Sequence, residues 1–308
     1  MNVLITGSAG YVGSALIKEL TRHDDTIYSL DIKSPPKELV EKTHHIAQDI
    51  TNSETLKKKL KPLDIDVVAH LAALVRENPS QILRTNVYGT TNLLDALRFK
   101  HPKLIIIAST AAQLYRNAQY IPIDEKHPIT PVTTYGLSKH LTEEVARFYY
   151  RIYSMPIAIF RQTNVYGPAP VQKYTVINKF VEDALTRGRI TIDGDGEQVR
   201  NFIHIDDLVQ YYIKAIHYPS PERLAGQVFN IAGPEECKVK PLSERIVSHI
   251  ASKTNKDVKI VFNSPSIPPE LDIHIFNISS QKAQLFFNYI PKITLDNGIA
   301  KTIDTHTM

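Results

Sequence analysis

The chain has 308 residues, 43% of them hydrophobic and 22% charged, with 36 basic against 32 acidic side chains and a formal net charge of +4. That length allows a substantial core in one large domain or two unequal ones, and the small, scattered positive excess gives no case for nucleic-acid binding. A single cysteine, Cys237, excludes an internal disulfide framework, no apolar run approaches the roughly 20 residues of a membrane span, and the opening MNVLITG has no basic leader; a cytoplasmic protein without a membrane partner is expected.

In chain order, β-branched runs predict strands at NVLIT, TIYSLDI, HHIAQDI, DVVAHLA, KLIIIAS and PIAIFRQ. Helical patterns lie between them, near 11–22, 53–60, 80–99 and 135–153, and the lysine cluster LKKKLKP at 56–62 reads as the solvated face of a short helix. Strands alternating with helices predict a parallel sheet covered on both sides. From about residue 168 the pieces become smaller: GPAPVQ, a helix near 176–187, RITIDGDGEQVRNFIHIDD, and a proline-rich stretch near 264–269. The expected organisation is a first domain over 1–167, with crossing segments near 199–233 that include QVFNIAG, and a smaller lobe over 168–308 lying on the carboxyl ends of the strands.

Between the first strand and the first helix, TGSAGYVGS places Gly7, Gly10 and Gly13. Gly7 permits a tight turn, Gly10 lets the backbone approach a diphosphate, and the helix starting near Tyr11 offers free amides and a positive dipole end. Asp31 closes the next strand, where a carboxylate accepts hydrogen bonds from both ribose hydroxyls of an adenosine and repels a 2′-phosphate, favouring NAD over NADP. The fold class is therefore α/β: a Rossmann-type doubly wound parallel sheet with a smaller α/β C-terminal substrate lobe.

TTYGLSKH holds Tyr135 and Lys139 one helical turn apart, on one face. A free phenol is a poor base at neutral pH, and a neighbouring ammonium favours the phenolate. With TGSAGYVGS, LDI, QDI, HLAA, NVYGTTNLLDA, YGLSK, RQTNVYGP, GDGEQVRNFIHIDDL and FNIAG in this order, the sequence resembles the extended short-chain dehydrogenase/reductase family, specifically its NAD-dependent nucleotide-sugar epimerases and dehydratases. The resemblance implies NAD held by Gly7, Gly10, Tyr11, Val12, Gly13, Asp31, Ile32, Asp49, Ile50, Leu71, Ala72 and Ala73, with Asn86 near the site. It also implies Tyr135 as acid/base, Lys139 bonded to the nicotinamide ribose, Asn164 and Arg200 on a nucleotide-sugar, and a homodimer through the helices near 80–99 and 135–153. His204 and Asp206 read as a strand end and a helix cap, and no histidine or cysteine spacing suggests a metal.

The stretch IIIASTAAQLY departs from the family, whose members carry Ser or Thr four residues before the tyrosine that here is Tyr115; that position is Ala111. Thr110 lies one residue early, so it takes the role if a bulge absorbs the slip, and Ser109 is the fallback if the strand stays regular. Family members also often have a second arginine in the C-terminal lobe, where ELDIHIFNISSQKAQ offers His274. The family's 4,6-dehydratases place an acidic residue just after the hydroxyl, and TAAQLY supplies none, which points to 4-epimerisation. A dehydratase, a net NAD-dependent dehydrogenase and a non-catalytic NAD sensor stay open at this level.

Overall fold

The computed structural model of the chain describes residues 1–115, 118–173, 175–265 and 274–307. All six predicted strands form: β1 (Asn2–Thr6), β2 (Thr26–Asp31), β3 (His44–Ala47), β4 (Val67–His70), β5 (Leu104–Thr110) and β6 (Ile157–Gln162). They are followed by β7 (Asn164–Tyr166), β8 (Arg189–Asp193), β9 (Val199–His204), β10 (Val228–Ile231), β11 (Glu236–Lys238) and β12 (Lys259–Asn263). The main sheet has seven strands, all parallel, in the order β10-β6-β5-β4-β1-β2-β3. Chain order reverses between β1 and β4, and in such sheets the ligand crevice opens beyond the carboxyl ends of the strands at that reversal. QVFNIAG returns to this sheet as β10.

A parallel sheet must be covered on both faces, and β4 and β5 are accordingly buried along their whole lengths. Alternate residues feed two cores. Val3, Ile5, Ile106 and Phe160 meet Leu16, Leu208 and Tyr212 on one side; Leu4, Val68, Ile105 and Ile107 meet Leu56, Leu94 and Tyr149 on the other. A third core draws on residues from Tyr166 to Ile303, among them Ile177, Phe202, Leu242 and Ile299, and encloses the smaller sheets β11-β9-β7 and β12-β8.

Local chemistry accounts for details the patterns suggested. Leu56 and Leu60 of the helix Ser53–Leu60 are buried while its lysines are exposed. His204 ends β9 and caps the next helix, its Nδ1 accepting the Asp206 N–H at 3.2 Å. The helix expected near 80–99 is interrupted: a π-helical turn, Arg84–Tyr88, separates Pro79–Leu83 from Gly89–Leu97. Such widened turns cluster at functional sites, and this one surrounds Asn86. Most of the proline-rich stretch 264–269 lies outside the described residues. Among the described residues, no helix is long and apolar enough to cross a membrane.

Candidate active site

Above the crevice lies a groove of about 510 Å³ lined by Gly7, Gly10, Asp31, Ile32, Asp49, Ile50, Leu71, Ala72 and Ala73, together with Leu30, Gln48, Thr51, Leu74, Gln81, Arg84 and others. It shares Gly7, Gly10, Leu71, Ala73 and Leu74 with a second hollow of about 270 Å³, whose walls add Tyr11, Val12, Gly13, Tyr135, Lys139, Ala108, Gln162 and Lys173. A single elongated ligand can thus run from Asp31 to Tyr135.

The glycine turn is built for close approach. Gly7 sits at φ +71°, and a Cβ there would lie 2.6 Å from the Ala72 nitrogen; a Cβ on Gly13 would lie 2.2 Å from the Gly7 carbonyl oxygen. The helix Tyr11–Leu20 begins at Gly10 with no side chain capping it, so its first amides remain available to an anion. Asp31 is anchored by the turn itself, Oδ2 accepting the Ala9 N–H and Oδ1 the Lys33 N–H, each at 3.1 Å. Donor amides, a cradle that only glycine leaves open and a fixed carboxylate at the far end suit a dinucleotide diphosphate and an adenosine ribose. Tyr11 spends its phenol on the Gly167 carbonyl, 2.7 Å away.

Tyr135 and Lys139 lie on the helix Thr134–Tyr153, whose start is fixed by Thr133 accepting the Gly136 N–H. Lys139 Nζ donates to the Ala108 carbonyl at 2.7 Å and stands 6.0 Å from the centre of the Tyr135 ring. Burial, aided by the Lys173 charge, brings the ammonium down to about 8. The phenol goes the other way from the sequence expectation: burial pushes Tyr135 up to about 12. Desolvation outweighs an ammonium that is six ångströms from the ring and already serving a carbonyl.

The bulge expected in TAAQLY, after the strand ends, does not interrupt β5 itself. β5 pairs with β6 at constant register from Ile105 opposite Ile157 to Thr110 opposite Gln162, and the Ala111 N–H continues it by donating to the Gln162 carbonyl at 2.8 Å. Regular alternation places Thr110 on the face of Ala108, a wall of the Tyr135 hollow. Ser109 and Ala111 take the opposite face. There Ser109 donates to Glu143 at 2.7 Å, and Ala111 is fully buried with Leu114, Ile123 and Phe276. The Ser109 hydroxyl is therefore spoken for. Thr110 is itself 6% exposed and does not reach the hollow's wall.

Asn86 lies behind the wall and positions it. Its Oδ1 accepts the Leu74 N–H at 2.8 Å, and its Nδ2 donates to the Leu74 carbonyl and to Ser138 Oγ, each at 2.9 Å. The Asn86 carbonyl accepts the hydroxyls of Thr90 and Thr142 at 2.5 and 3.0 Å. With the Thr90 proton used there, His70 Nε2, 2.8 Å from Thr90 Oγ1, must be the donor, and His70 Nδ1 accepts from Thr6 at 2.6 Å. The imidazole stays neutral, since burial, with the Lys139 charge, holds it down to about 3. One buried chain of bonds thus ties β1, β4, the π turn and the Tyr135 helix together.

Asn164 and Arg200 sit elsewhere, on the β11-β9-β7 sheet: Asn164 Nδ2 donates to the Asn201 carbonyl at 3.0 Å and Arg200 to the Val199 carbonyl at 2.9 Å. Neither lines the two hollows. His274 is exposed and its carbonyl accepts the Val199 N–H. Sequence reading missed Gln162, Lys173, Leu74 and Arg84. Gln162 was findable, as a polar residue closing an apolar strand at its carboxyl end.

Fold, crevice and glycine turn define an NAD-binding α/β protein. The NAD dependent epimerase/dehydratase family matches residues 3–254, and the chain belongs to it. It is 28% identical to the UDP-glucose 4-epimerase of Thermotoga maritima, solved with UDP-glucose, covering 100% of this chain and 99% of that one at a TM-score of 0.88. The UDP-glucuronic acid 4-epimerase of Bacillus cereus, solved with UDP-glucuronic acid and NAD, is 26% identical over 99% and 98% at a TM-score of 0.85. The dTDP-4-dehydro-6-deoxyglucose reductase of Escherichia coli is 30% identical over 98% of this chain and 96% of its own. NAD is the cofactor. Asp31→Ala is expected to weaken NAD by about 1 to 3 kcal/mol, the scale of hydrogen bonds to a charged group, and to narrow the preference over NADP. Dissociation constants for both dinucleotides, measured on both proteins, check this.

Proposed function

We propose that the protein is a nucleotide-sugar 4-epimerase with Tyr135 as its acid/base. The observation that carries this reading is the make-up of the Tyr135 hollow: its titratable walls are two phenols and two ammonium groups, Tyr11, Tyr135, Lys139 and Lys173, and Tyr11 is bonded to Gly167. One free phenol suits moving a hydroxyl proton both ways, whereas expelling water from a sugar calls for a second acid. Bound NAD would take a hydride from the sugar and return it, and brings a positive charge to this hollow. Tyr135 would accept the proton of the 4-hydroxyl and later return it to the opposite configuration; Lys139 would hold the cofactor ribose and favour the phenolate. Thr110 would orient the reacting oxygen, and the lobe after residue 167, with Asn164 and Arg200, would receive the nucleotide.

The test incubates the protein, with no added cofactor, with UDP-, GDP- and dTDP-linked sugars, UDP-glucuronic acid among them, and follows the sugar by NMR. Inversion at C4 is expected. Loss of water, NADH accumulating with substrate consumed, or no change in any sugar would each overturn the reading, in favour of a dehydratase, a dehydrogenase or an NAD sensor respectively.

A homodimer belongs to the same proposal. Leu137, Leu141, Phe148 and Ile152 are exposed along one side of the helix Thr134–Tyr153, and Tyr88, on the π turn, and Phe99, just after the helix Gly89–Leu97, are 52% and 73% exposed. Such a stripe at helical spacing suits a second copy meeting it across a two-fold axis. Sedimentation at micromolar concentration is expected to give twice the chain mass of 34.8 kDa, and Phe148→Glu with Leu141→Glu to give the monomer.

A further inference from the structure

Gln162 is the last residue of β6, and its carbonyl is held by the Ala111 N–H. Gln162 lines the hollow that contains Tyr135 and Lys139, yet its Oε1 is buried with no hydrogen-bond partner. A buried amide oxygen without a donor has lost its water and gained nothing, and in native proteins such an atom calls for a specific explanation. Neighbouring hydroxyls do not serve it: Ser109 donates to Glu143 and Thr163 to Asn201.

We infer that the side-chain amide of Gln162 receives the carboxamide of the nicotinamide ring. The direction follows from the groove: with the adenosine ribose at Asp31 and the diphosphate over the glycine turn, the nicotinamide end lies in the hollow of Tyr135, Lys139 and Gln162. The chemistry is complementary. A primary carboxamide offers N–H donors and a carbonyl, and the glutamine amide answers with an acceptor and donors of its own. Pairing them satisfies Oε1 and fixes the rotation of the carboxamide, and with it the face of the ring turned toward Tyr135. This concerns the cofactor and does not depend on which sugar is the substrate. The competing donor for Oε1 is a sugar hydroxyl.

The test is cofactor exchange, read without turnover. Purified protein is equilibrated with NAD in competition with ADP-ribose, which has no nicotinamide, or with 3-acetylpyridine adenine dinucleotide, which keeps the carbonyl but has no N–H; retained dinucleotide is then quantified. The wild type is expected to prefer NAD over the acetylpyridine analogue by about 10-fold, the size of one hydrogen bond whose buried partner would otherwise stay unpaired. Gln162→Met is expected to abolish that preference while binding ADP-ribose as the wild type does; Gln162→Glu, which keeps the acceptor, retains the preference. Equal wild-type affinity for the two dinucleotides would overturn the inference, as would a parallel loss of NAD and ADP-ribose in Gln162→Met. So would unchanged NAD retention with impaired epimerisation, which would assign Gln162 to the sugar. If Gln162→Met does not fold, the wild-type and Gln162→Glu comparisons decide alone.

Discussion

Tyr135→Phe is expected to abolish nearly all turnover while the protein keeps its dinucleotide. The substitution removes one oxygen from the wall of the hollow and leaves the Gly7, Gly10 and Gly13 turn and the Asp31 anchor untouched. A positioned acid/base group contributes about 10² to 10⁴ in rate, so kcat should fall by that factor with KM little changed. Burial alone holds the phenol up at about 12, so ionising it near neutrality requires positive charge brought close to it. Lys139, brought down to about 8, supplies that charge only while protonated. Activity should therefore decline as pH rises through the lysine's range, which a pH profile of kcat checks. Thr110→Val serves as the contrast: it keeps the shape of β5 and removes only the hydroxyl proposed to orient the reacting oxygen, and a loss of about 10-fold in kcat is expected, the size of one transition-state hydrogen bond. Full activity in Thr110→Val would mean that Tyr135 works without a hydroxyl partner from β5.

Why the fold was so legible is visible in particular residues. Runs such as LIIIAST are apolar on both faces because the strand is covered on both faces, and Gly7, Gly10, Gly13 and Asp31 act through the backbone or at a strand end, where spacing along the chain is spacing in space. Tyr135 and Lys139 were legible for the same reason, being one helical turn apart. What stayed hidden depends on contacts between distant segments. The π turn at Asn86 presents a carbonyl on which Thr90 and Thr142, from two helices, converge. The fate of the hydroxyls in IIIASTAA was decided by Glu143, 34 residues further on, which accepts Ser109; nothing local in the sequence marks that bond. Gln162 and Lys173 enter the hollow from segments whose place over β5 only the assembled sheet defines.

Glu143 also carries the largest expected effect on stability. Its carboxylate and the Arg161 guanidinium are both buried, with Arg161 Nε 2.9 Å from Oε1 and Nη2 2.7 Å from Oε2, a two-pronged pairing; Arg147 adds a bond of 2.9 Å to Oε2. The remaining nitrogen of Arg161, Nη1, donates to the Tyr115 hydroxyl at 2.9 Å and the Glu125 carbonyl at 3.1 Å, so one ion pair joins β6, the Tyr135 helix and the segment after β5. Glu143→Ala leaves a guanidinium in the interior without its counter-charge, and a loss of about 3 to 5 kcal/mol in unfolding free energy is expected by urea titration. The double replacement Glu143→Leu with Arg161→Met removes both charges at similar volume and should recover most of that loss, because the pair's attraction is largely offset by the cost of burying it. The pH dependence has a definite sign. Burial opposes ionisation of Glu143, but Arg161, Ser109 and Arg147 together hold its carboxyl below the usual carboxylate range. A group depressed on folding stabilises fully above its unfolded value, roughly 4.3 for a glutamate, and the contribution is lost as pH falls through the folded value. The wild type should therefore lose stability on acidification below that range more steeply than the Leu/Met double variant, which has no carboxyl there to protonate. A second consequence reaches the chemistry. Glu143 lies one turn beyond Lys139 and its charge supports the ammonium; in the double variant Lys139 should lose its proton at lower pH, and the alkaline limb of activity should move toward neutrality even where the fold has recovered.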